Sequence, residues 1–371
     1  MTRPISRRHL LRSSPVVLAG SIFSAAAAAE VYSAPPRQDL KGPIRLIANE
    51  NPYGPSASAR NAMLAAFDEA HRYAMRENSE LEYQIAEAEG VPADHVSVAA
   101  GSGEILRMAA VAYGLKGGGV LCATPTFEML QPYAETVGVE VERVPVDDSY
   151  TIDLDALEKR VSNNVGLVYI CNPNNPTGTR LDAVRLRDFC QSVSAQALVF
   201  VDEAYMELAD DFELNSMIDQ VRSGKNVIVS RTFSKVHGMA ALRVGYGLAP
   251  PAVISDLKKY RMSMPNIVSL RAAMASYQDK DFQAFSKAKI VEGRQMIYDV
   301  CEELDLGYTP SYGNFVLVDA DRSSSDVVKK LRDENVLIRS VRPYETLLRV
   351  SVGTTEDMIS FQNALRKVIA A

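Results

Sequence analysis

Between Ile44 and about Ser263, apolar runs alternate with segments whose apolar residues recur at helical spacing. Several runs are continuously apolar, which is typical of strands buried on both faces of a sheet. The predicted strands are Val96–Ala99, Val120–Ala123, Val139–Val144, Gly166–Cys171, Ala197–Val201, Asn226–Ser230 and Val244–Leu248, and the predicted helices between them are Glu104–Tyr113, Phe127–Thr136, Leu154–Ser162 and Leu181–Ser194. This alternation predicts an α/β domain whose large, mostly parallel sheet is covered by helices on both sides.

After Ser263 the pattern changes to one long helical region, about 269–304, followed by a shorter α+β stretch. Its predicted strands are Asn314–Val318, Val336–Ile338 and Leu347–Ser351, and its predicted helices are Ser325–Glu334 and Glu356–Ile369. We therefore expect a large domain over 66–265, and an interdomain helix with a small C-terminal α+β domain over 266–371. Residues 44–65 are expected to form an N-terminal segment that packs on the small domain.

The N-terminus has the layout of an export signal. A basic start that includes Arg7 and Arg8 precedes a mostly apolar stretch, Pro15–Ala29, which ends in alanines. The paired arginines indicate the twin-arginine route, and the stretch is too short for stable membrane anchoring. We expect a signal over 1–29, a connector over 30–43 and a periplasmic protein. A basic tail or a wrongly assigned start is the alternative, and it would leave the protein in the cytoplasm.

Composition excludes several classes of function. The 371 residues are 47% hydrophobic and 23% charged, which is ordinary for a globular protein. The formal net charge is −6, and no basic run lies beyond the N-terminus, so nucleic-acid binding is not expected. The four cysteines are widely spaced, without the patterns of a zinc site or a disulfide framework. No metal is therefore expected.

Two loops have the composition of ligand-binding turns. The segment AGSGE, residues 100–104, follows a predicted strand and opens a helix. Glycines permit close approach of the backbone, and a helix N-terminus offers free N–H groups to a phosphate, although a plain glycine-rich turn is the alternative. The segment NPNNPTG, residues 172–178, also follows a strand. Its prolines and glycine predict a rigid loop that would hold an asparagine in a fixed pose.

Two further residues stand where parallel strands are expected to end. Asp202 closes the apolar run VFVD, at the edge where open α/β sheets bind ligands, although it could instead cap a helix. Lys235 follows a strand in the hydroxyl-rich turn SRTFSK, with Arg243 soon after. Positive neighbours and partial desolvation lower the pKa of a lysine, as a Schiff-base nucleophile requires. A solvated surface lysine is the alternative.

Together these signals, in this order, resemble the fold-type I pyridoxal-phosphate aminotransferases of class I/II. The histidinol-phosphate aminotransferase-like subgroup is the most similar. The segments NENPYGP (49–55), PTF (125–127), GNF (313–315) and LRVSVGT (348–354) support that subgroup, and the resemblance extends from about Leu46 to the C-terminus. It implies an aspartate aminotransferase-like fold, pyridoxal 5′-phosphate as cofactor, and small amino acids and 2-oxo acids as substrates.

The resemblance also implies roles for individual residues around the cofactor. Lys235 would hold it as a Schiff base and then move the proton between Cα and C4′. Asp202 would pair with the pyridinium nitrogen. Asn175 and Tyr205 would bind the phenolic oxygen, and Phe127 would stack on the ring. The cofactor phosphate would be held by Ser102, the amides of Gly103 and Glu104, Thr232, Ser234 and Arg243.

For the substrate, the resemblance assigns Arg349 to an anionic group, Arg339 to a second anion, and Tyr53 and Asn175 to the pocket wall. Tyr73 matches a tyrosine that reaches the cofactor phosphate of the other subunit, which implies a homodimer with shared active sites. The family usually has a proline and an acid after this tyrosine, whereas this chain has YAMRE over residues 73–77. The altered segment predicts a changed loop, and with it a changed substrate or reaction.

Three functions follow as hypotheses. The first is transfer of an amino group between an amino acid, or a histidinol-phosphate-like amine, and a 2-oxo acid. The second is racemisation or decarboxylation of an amino acid on the same fold and cofactor. The third is a non-catalytic periplasmic binding protein, against which the set Lys235, Asp202, Asn175, Tyr205 and Arg243 argues.

Overall fold

The computed structural model describes residues 42–370. The predicted export signal and most of the predicted connector lie outside the described residues, as does the last residue of the chain. Within the described part, all four cysteines are buried and unpaired. No helix between residues 42 and 370 is both long and apolar enough to cross a membrane.

The strands and helices follow the predicted order. The strands are β1 Ile44–Arg45, β2 Val96–Ala99, β3 Gly119–Thr124, β4 Val141–Pro145, β5 Val165–Cys171, β6 Leu198–Asp202, β7 Val227–Thr232, β8 Gly245–Leu248, β9 Gly307–Thr309, β10 Phe315–Asp319, β11 Val336–Leu337, β12 Arg339–Ser340 and β13 Leu347–Ser351. The helices are α1 Ala57–Ala66, α2 Met75–Glu89, α3 Ser102–Gly114, α4 Leu130–Thr136, α5 Leu154–Glu158, α6 Ala183–Val193, α7 Phe212–Asn215, α8 Ile218–Arg222, α9 Pro251–Lys258, α10 Ile267–Gln278, α11 Lys280–Glu303, α12 Ser324–Asp333 and α13 Thr355–Ala370.

The large sheet contains the seven predicted strands in the order β2-β8-β7-β6-β5-β3-β4. Strands β7, β6, β5, β3 and β4 pair in parallel, and β8 is antiparallel to both of its neighbours. Two separate groups of buried apolar side chains pack on this sheet. The predicted α/β architecture, with a mostly parallel sheet covered by helices, is therefore confirmed.

A second core lies in the C-terminal part. Strands β12, β13, β10 and β9 form an antiparallel sheet in that order, and helices α11, α12 and α13 pack against it. The N-terminal strand β1 pairs in parallel with β11, and Leu46 is buried in the same core. The N-terminal segment thus contacts the small sheet where it enters the fold, while α1 packs against α10 beside the large core.

The long helical region predicted for 269–304 is two helices, α10 and α11, which break at Asp279. The Asp279 carboxylate accepts the backbone N–H of Phe282 at 3.1 Å and so caps the start of α11. A side chain that satisfies the open N–H groups of a helix start competes with continued helix.

Helix α2 was not predicted, because its sequence is rich in polar residues and its apolar stripe is narrow.

Candidate active site

Strand ends bring the predicted residues to one edge of the large sheet. Cys171, at the end of β5, pairs in register with Asp202, and Asp202 pairs with Ser230 on β7. The loops that leave these strands contain Asn175 and Lys235. The carboxyl edge of an open parallel sheet is where ligands bind in such folds, so the topology alone places these side chains around one crevice.

Asp202 is buried, with 1% of its surface exposed, and is held by three donors. Its carboxylate accepts the Ser230 hydroxyl at 2.9 Å, the Tyr169 hydroxyl at 3.2 Å and the Ala204 backbone N–H at 3.3 Å. Burial raises the pKa of Asp202, and these hydrogen bonds together with the positive charge of Lys235 oppose the rise. A fixed acid in a nearly dry environment is suited to pair with a cationic group.

Tyr205 and Asn175 are joined by a hydrogen bond, from the Asn175 amide to the Tyr205 hydroxyl oxygen at 3.2 Å. Arg349 donates to the Asn175 side-chain oxygen at 2.8 Å. Because a guanidinium can only donate, this contact fixes which end of the Asn175 amide faces Tyr205. Burial raises the pKa of Tyr205 above its usual range, so its hydroxyl is neutral at physiological pH.

Lys235 is partly buried beside Tyr205, with Nζ 5.1 Å from the centre of the tyrosine ring. Its ammonium donates to the backbone oxygen of Asn49 at 2.9 Å. Desolvation, assisted by the charges of Arg349 and Arg243, lowers the pKa of Lys235 to about 8. At pH 7 about a tenth of this amine is therefore unprotonated, far more than of an ordinary lysine, as a nucleophile or proton acceptor requires.

The start of α3 forms an anion cradle with the loop after β7. Gly101 precedes the helix with φ of 84°, and a Cβ at this position would collide with the Arg243 guanidinium. Arg243 donates to the Ser234 hydroxyl at 3.3 Å and to the Ala240 carbonyl at 2.8 Å. The Thr232 hydroxyl donates to Ser234 at 2.9 Å. A fork-shaped cation, two hydroxyls and a helix N-terminus converge as a phosphate requires.

Glu104 is engaged within the protein. Its backbone N–H donates to the Gly101 carbonyl at 3.0 Å, and its carboxylate accepts the N–H groups of Ala100, Met262 and Ser263 at 2.7, 3.0 and 2.9 Å. The amides of Ser102 and Gly103 occupy the first positions of α3, where helix geometry provides no acceptor. These two amides are better placed for an anion than the amide of Glu104, and Glu104 instead stabilises the loop.

Arg349, on β13, is buried and uses its fork on the protein itself. It donates to Asn175 at 2.8 Å and to the Ile47 carbonyl at 2.7 Å, while its buried Nε has no partner among the described residues. Burial lowers its pKa to about 10. Arg339 is exposed and pairs in register with Arg349 across β12 and β13. Directly opposite residues share a sheet face, so both guanidinium groups lie on the same side.

Three predicted residues have no hydrogen bond or ring contact with this cluster. Phe127 is partly buried and packs against the apolar core that contains Leu130. Tyr53 meets the ring of Phe285 edge-on at 5.2 Å, and burial raises its pKa to about 12 while its hydroxyl bonds Thr355. Tyr73 is 97% exposed, just before α2 begins at Met75. Their predicted contacts with cofactor or substrate stay predictions.

Two asparagines were missed by reasoning from the sequence. Asn49 donates from its side chain to the Tyr205 hydroxyl at 3.1 Å, and Asn314 donates to the carbonyls of Asn49 and Glu50 at 2.9 and 3.1 Å. Both stand in segments that carried the family resemblance, NENPYGP and GNF. Polar residues that recur in such segments were the available signal, but their partners lie more than 150 positions away along the chain.

Behind the lysine loop, Arg231 forms a buried charge network. Its guanidinium pairs with Glu89 at 2.5 Å and Glu203 at 3.0 Å, and it donates to the Ser216 hydroxyl at 2.8 Å. Only 1% of the Arg231 side chain is exposed. A buried ion pair with satisfied hydrogen bonds holds its elements in one arrangement, so this network fixes the ends of β6 and β7, from which Asp202 and the lysine loop extend.

The donor set fits pyridoxal phosphate part by part. Asp202 is a buried acid for a ring nitrogen, Lys235 is an amine of lowered pKa for an aldehyde, and the Gly101 turn with Arg243 is a cradle for a phosphate. Asn175 supplies an amide and Tyr205 a hydroxyl, which are hydrogen-bond donors suited to a phenolic oxygen. No cluster of residues that could hold a metal ion occurs among residues 42–370.

Comparison with known proteins gives a consistent result. Residues 41–365 match the family model described as aminotransferase class I and II. A histidinol-phosphate aminotransferase of Moorella thermoacetica is 36% identical over 335 residues, which cover 89% of this chain and 86% of that protein. The histidinol-phosphate aminotransferase 2 of Pseudomonas fluorescens Pf0-1 is 37% identical, over 88% of this chain and 89% of that protein. The crystal structure of histidinol-phosphate aminotransferase from Sinorhizobium meliloti in complex with pyridoxal-5′-phosphate has a TM-score of 0.83 and 27% identity, and covers 100% of this chain and 98% of that one.

Proposed function

Because the chain belongs to the class I and II aminotransferases and is a pyridoxal-phosphate-dependent aminotransferase, we propose that it transfers the amino group of an amino acid to a 2-oxo acid at a site built on Lys235. The observation that carries this site is the convergence of Lys235, Asp202 and Asn175 at one edge of the large sheet, where Arg349 of the small sheet donates to Asn175. Each of these groups answers a separate chemical requirement of the reaction.

Pyridoxal phosphate supplies, when bound, an electron sink for bonds at the α-carbon of an amino acid. Lys235 would take the α-proton and return it, because its lowered pKa gives Nζ a much larger unprotonated fraction near neutral pH than an ordinary lysine has. Asp202 holds a proton on the ring nitrogen, since a carboxylate fixed by three donors is a stable counter-charge. Asn175 and Tyr205 donate to the phenolic oxygen and favour its ionised form.

The phosphate holders follow from the cradle. The amides of Ser102 and Gly103, the hydroxyls of Thr232 and Ser234, and the guanidinium of Arg243 bind the cofactor phosphate. The Glu104 carboxylate keeps the loop closed from behind through its contacts with Ala100, Met262 and Ser263. Phe127, which packs against the large core, would stack on the cofactor ring.

Arg349 receives the carboxylate of the amino acid or 2-oxo acid. Its Nε is buried without a protein acceptor among the described residues, and each terminal nitrogen has a second N–H besides the one donated to Asn175 or Ile47. The guanidinium therefore still has donors for two carboxylate oxygens. Asn175, which accepts from Arg349 and donates to Tyr205, joins the substrate anion site to the cofactor site. Tyr53 contributes to the pocket wall from the N-terminal segment.

A histidinol-phosphate-like amine is a second candidate for one half of the reaction. Two observations favour it: relatives at 36% and 37% identity act on histidinol phosphate by name, and Arg339 gives a second cation on the same sheet face as Arg349. A phosphate monoester and a carboxylate both match a guanidinium fork, so the arginines accommodate either anion.

A comparison of amino donors tests the substrate proposal. Full-length protein loaded with pyridoxal phosphate is mixed separately with L-glutamate, with other L-amino acids and with histidinol phosphate, in each case with a 2-oxo acid acceptor. We expect new amino acid to form from the acceptor with at least one carboxylate-bearing donor. Carbon dioxide release, or loss of optical activity without amino transfer, would assign the site to the decarboxylase or racemase alternative.

We also propose that the active unit is a homodimer in which Tyr73 serves the partner's site. Tyr73 is 97% exposed, and Leu64, Phe67 and Met75, within nine positions of it along the chain, are 68%, 60% and 68% exposed. Several large apolar side chains exposed over one short stretch of chain favour contact with a partner. We expect sedimentation to give a dimer, and Tyr73→Phe to weaken cofactor retention about 10-fold because a hydroxyl bond to the phosphate is lost. A monomer that retains full activity would contradict this proposal.

Export by the twin-arginine route is proposed from the sequence of residues 1–29. This route carries folded proteins, which suits a protein that binds its cofactor before export. A reporter fused to residues 1–34 is expected in the periplasm, and replacement of Arg7 and Arg8 by lysine is expected to retain it inside the cell. A reporter that stays in the cytoplasm with both arginines present would refute export.

A further inference from the structure

Asn49 occupies a strained, buried position at the meeting point of three parts of the chain. Its φ is 52°, in the left-handed region that asparagine tolerates better than most residues, and only 1% of its surface is exposed. The Ser351 hydroxyl accepts the Asn49 backbone N–H at 2.9 Å and donates to the Asn49 side-chain oxygen at 2.8 Å. The conformation is therefore held from both the backbone and the side chain.

The two remaining polar groups of Asn49 face the active site. Its side-chain amide donates to the Tyr205 hydroxyl at 3.1 Å. Its backbone oxygen accepts the Lys235 ammonium at 2.9 Å and the Asn314 amide at 2.9 Å. Asn49 thus contacts both Lys235, the proposed proton carrier, and Tyr205, the proposed hydroxyl donor.

The hydrogen bonds at Tyr205 determine the direction of its proton. A phenolic oxygen has one proton to donate and limited acceptor capacity, and two amide N–H groups, from Asn49 and Asn175, already occupy that capacity. The Tyr205 O–H can then act only as a donor. Because burial keeps this hydroxyl protonated, the proton is available for an anionic oxygen placed beside Lys235.

We propose that Asn49 is a positioning residue for amino transfer: its side-chain amide fixes Tyr205 as a hydrogen-bond donor to the cofactor's phenolic oxygen, and its carbonyl holds the Lys235 amine when that amine is free. The inference rests on the proposed cofactor site. It also gives the N-terminal segment and β13, through Ser351, a direct influence on the chemistry. Asn314 supports the same carbonyl and holds the segment in place.

The test uses two substitutions that preserve the left-handed backbone, Asn49→Asp and Asn49→Gly, in full-length protein loaded with pyridoxal phosphate. Asn49→Asp replaces an N–H donor with an acceptor that draws the Tyr205 proton away from the cofactor. Asn49→Gly keeps the backbone carbonyl that holds Lys235 and removes the side-chain amide, both its N–H groups and the oxygen that accepts the Ser351 hydroxyl. The readout is the pH midpoint of the visible absorbance change of the bound cofactor, measured beside kcat and KM.

We expect the Asn49→Asp midpoint to rise by about one pH unit, because a weaker donor to the phenolic oxygen lets the chromophore keep its proton to higher pH. Asn49→Gly is expected to shift it in the same direction by less. We expect kcat to fall about 10-fold with KM nearly unchanged. In a Tyr205→Phe background, neither substitution should add a further shift, since the shared hydroxyl is gone.

Midpoints that match the wild type in both variants would overturn the proposal. Shifts of full size in the Tyr205→Phe background would also overturn it, because the effect would then not pass through Tyr205. If Asn49→Asp does not fold, Asn49→Gly alone decides by the same criteria. Wild-type protein that shows no amino transfer would remove the proposed function itself, whereas an active wild type with unshifted variants removes only this inference.

Discussion

We expect replacement of Lys235 with alanine to lower the rate of amino transfer by at least about 10⁴-fold, with little change in folding. Lys235 Nζ lies 5.1 Å from the centre of the Tyr205 ring and donates to the Asn49 carbonyl, and burial lowers its pKa to about 8. The variant loses both the attachment point for the cofactor and the carrier of the α-proton. Turnover and visible absorbance measure the loss, and circular dichroism with thermal melting checks the fold.

Lys259→Ala is the matched control, because Lys259 is exposed and pairs with Asp256 at the C-terminal end of α9. It should keep both absorbance and turnover. Borohydride reduction of the loaded wild-type protein, followed by peptide mass spectrometry, should place the cofactor on Lys235. Attachment to any other lysine, or a Lys235→Ala protein with wild-type turnover, would disprove the assignment.

We expect replacement of Arg349 with glutamine to raise KM for a carboxylate substrate about 100-fold or more, because the anion loses a charged partner that can bind both of its oxygens in a buried site. Glutamine keeps a hydrogen-bonding side chain for the Ile47 carbonyl but removes the charge. Arg349→Lys keeps the positive charge but loses the planar guanidinium that binds two oxygens at once. It is therefore expected to recover only part of the affinity. Initial rates over a range of amino acid and 2-oxo acid concentrations give the KM values.

The contacts of Arg349 with the rest of the protein determine which controls its substitution needs. Arg349 also orients Asn175, so kcat should fall as well, and cofactor absorbance reports whether the site stays assembled. Arg339→Gln, at the exposed neighbour on the same face, should have a smaller effect on amino acids than on a phosphorylated amine. An unchanged KM for the 2-oxo acid in Arg349→Gln would show that the carboxylate binds elsewhere.

The large sheet could be predicted from sequence because several of its strands are continuous apolar runs. Val96–Ala99 is identical in prediction and structure, and Asp202 proves to be the last residue of its strand. The hydrophobic pattern does not predict elements that are very short or rich in polar residues. Strand β9 has three residues and β12 has two, and only their neighbours in the sheet define them. Such strands form through long-range pairing, which local pattern does not encode.

The parts of the site that could be predicted are the residues at or just after the ends of parallel strands, because those ends meet at one edge of the sheet. Lys235, Asp202, Asn175 and Tyr205 meet as the order of motifs along the chain implied. Asn49 was not predictable as a contact of Lys235, because its carbonyl is aimed by a left-handed backbone turn and by Ser351, 302 positions away. The Glu104 amide was assigned to the phosphate by resemblance, yet it bonds the Gly101 carbonyl. Backbone details of this kind depend on packing rather than on residue type.

The central claim is that the protein removes an amino group from one substrate and keeps it until a second substrate arrives. A single-turnover experiment tests it: loaded full-length protein is mixed with an amino donor and no acceptor, and the 2-oxo acid product is counted. We expect about one equivalent of 2-oxo acid per site, with an absorbance change that a 2-oxo acid acceptor reverses. Carbon dioxide release, racemised donor, or no oxo acid at all in the presence of bound cofactor would contradict the account.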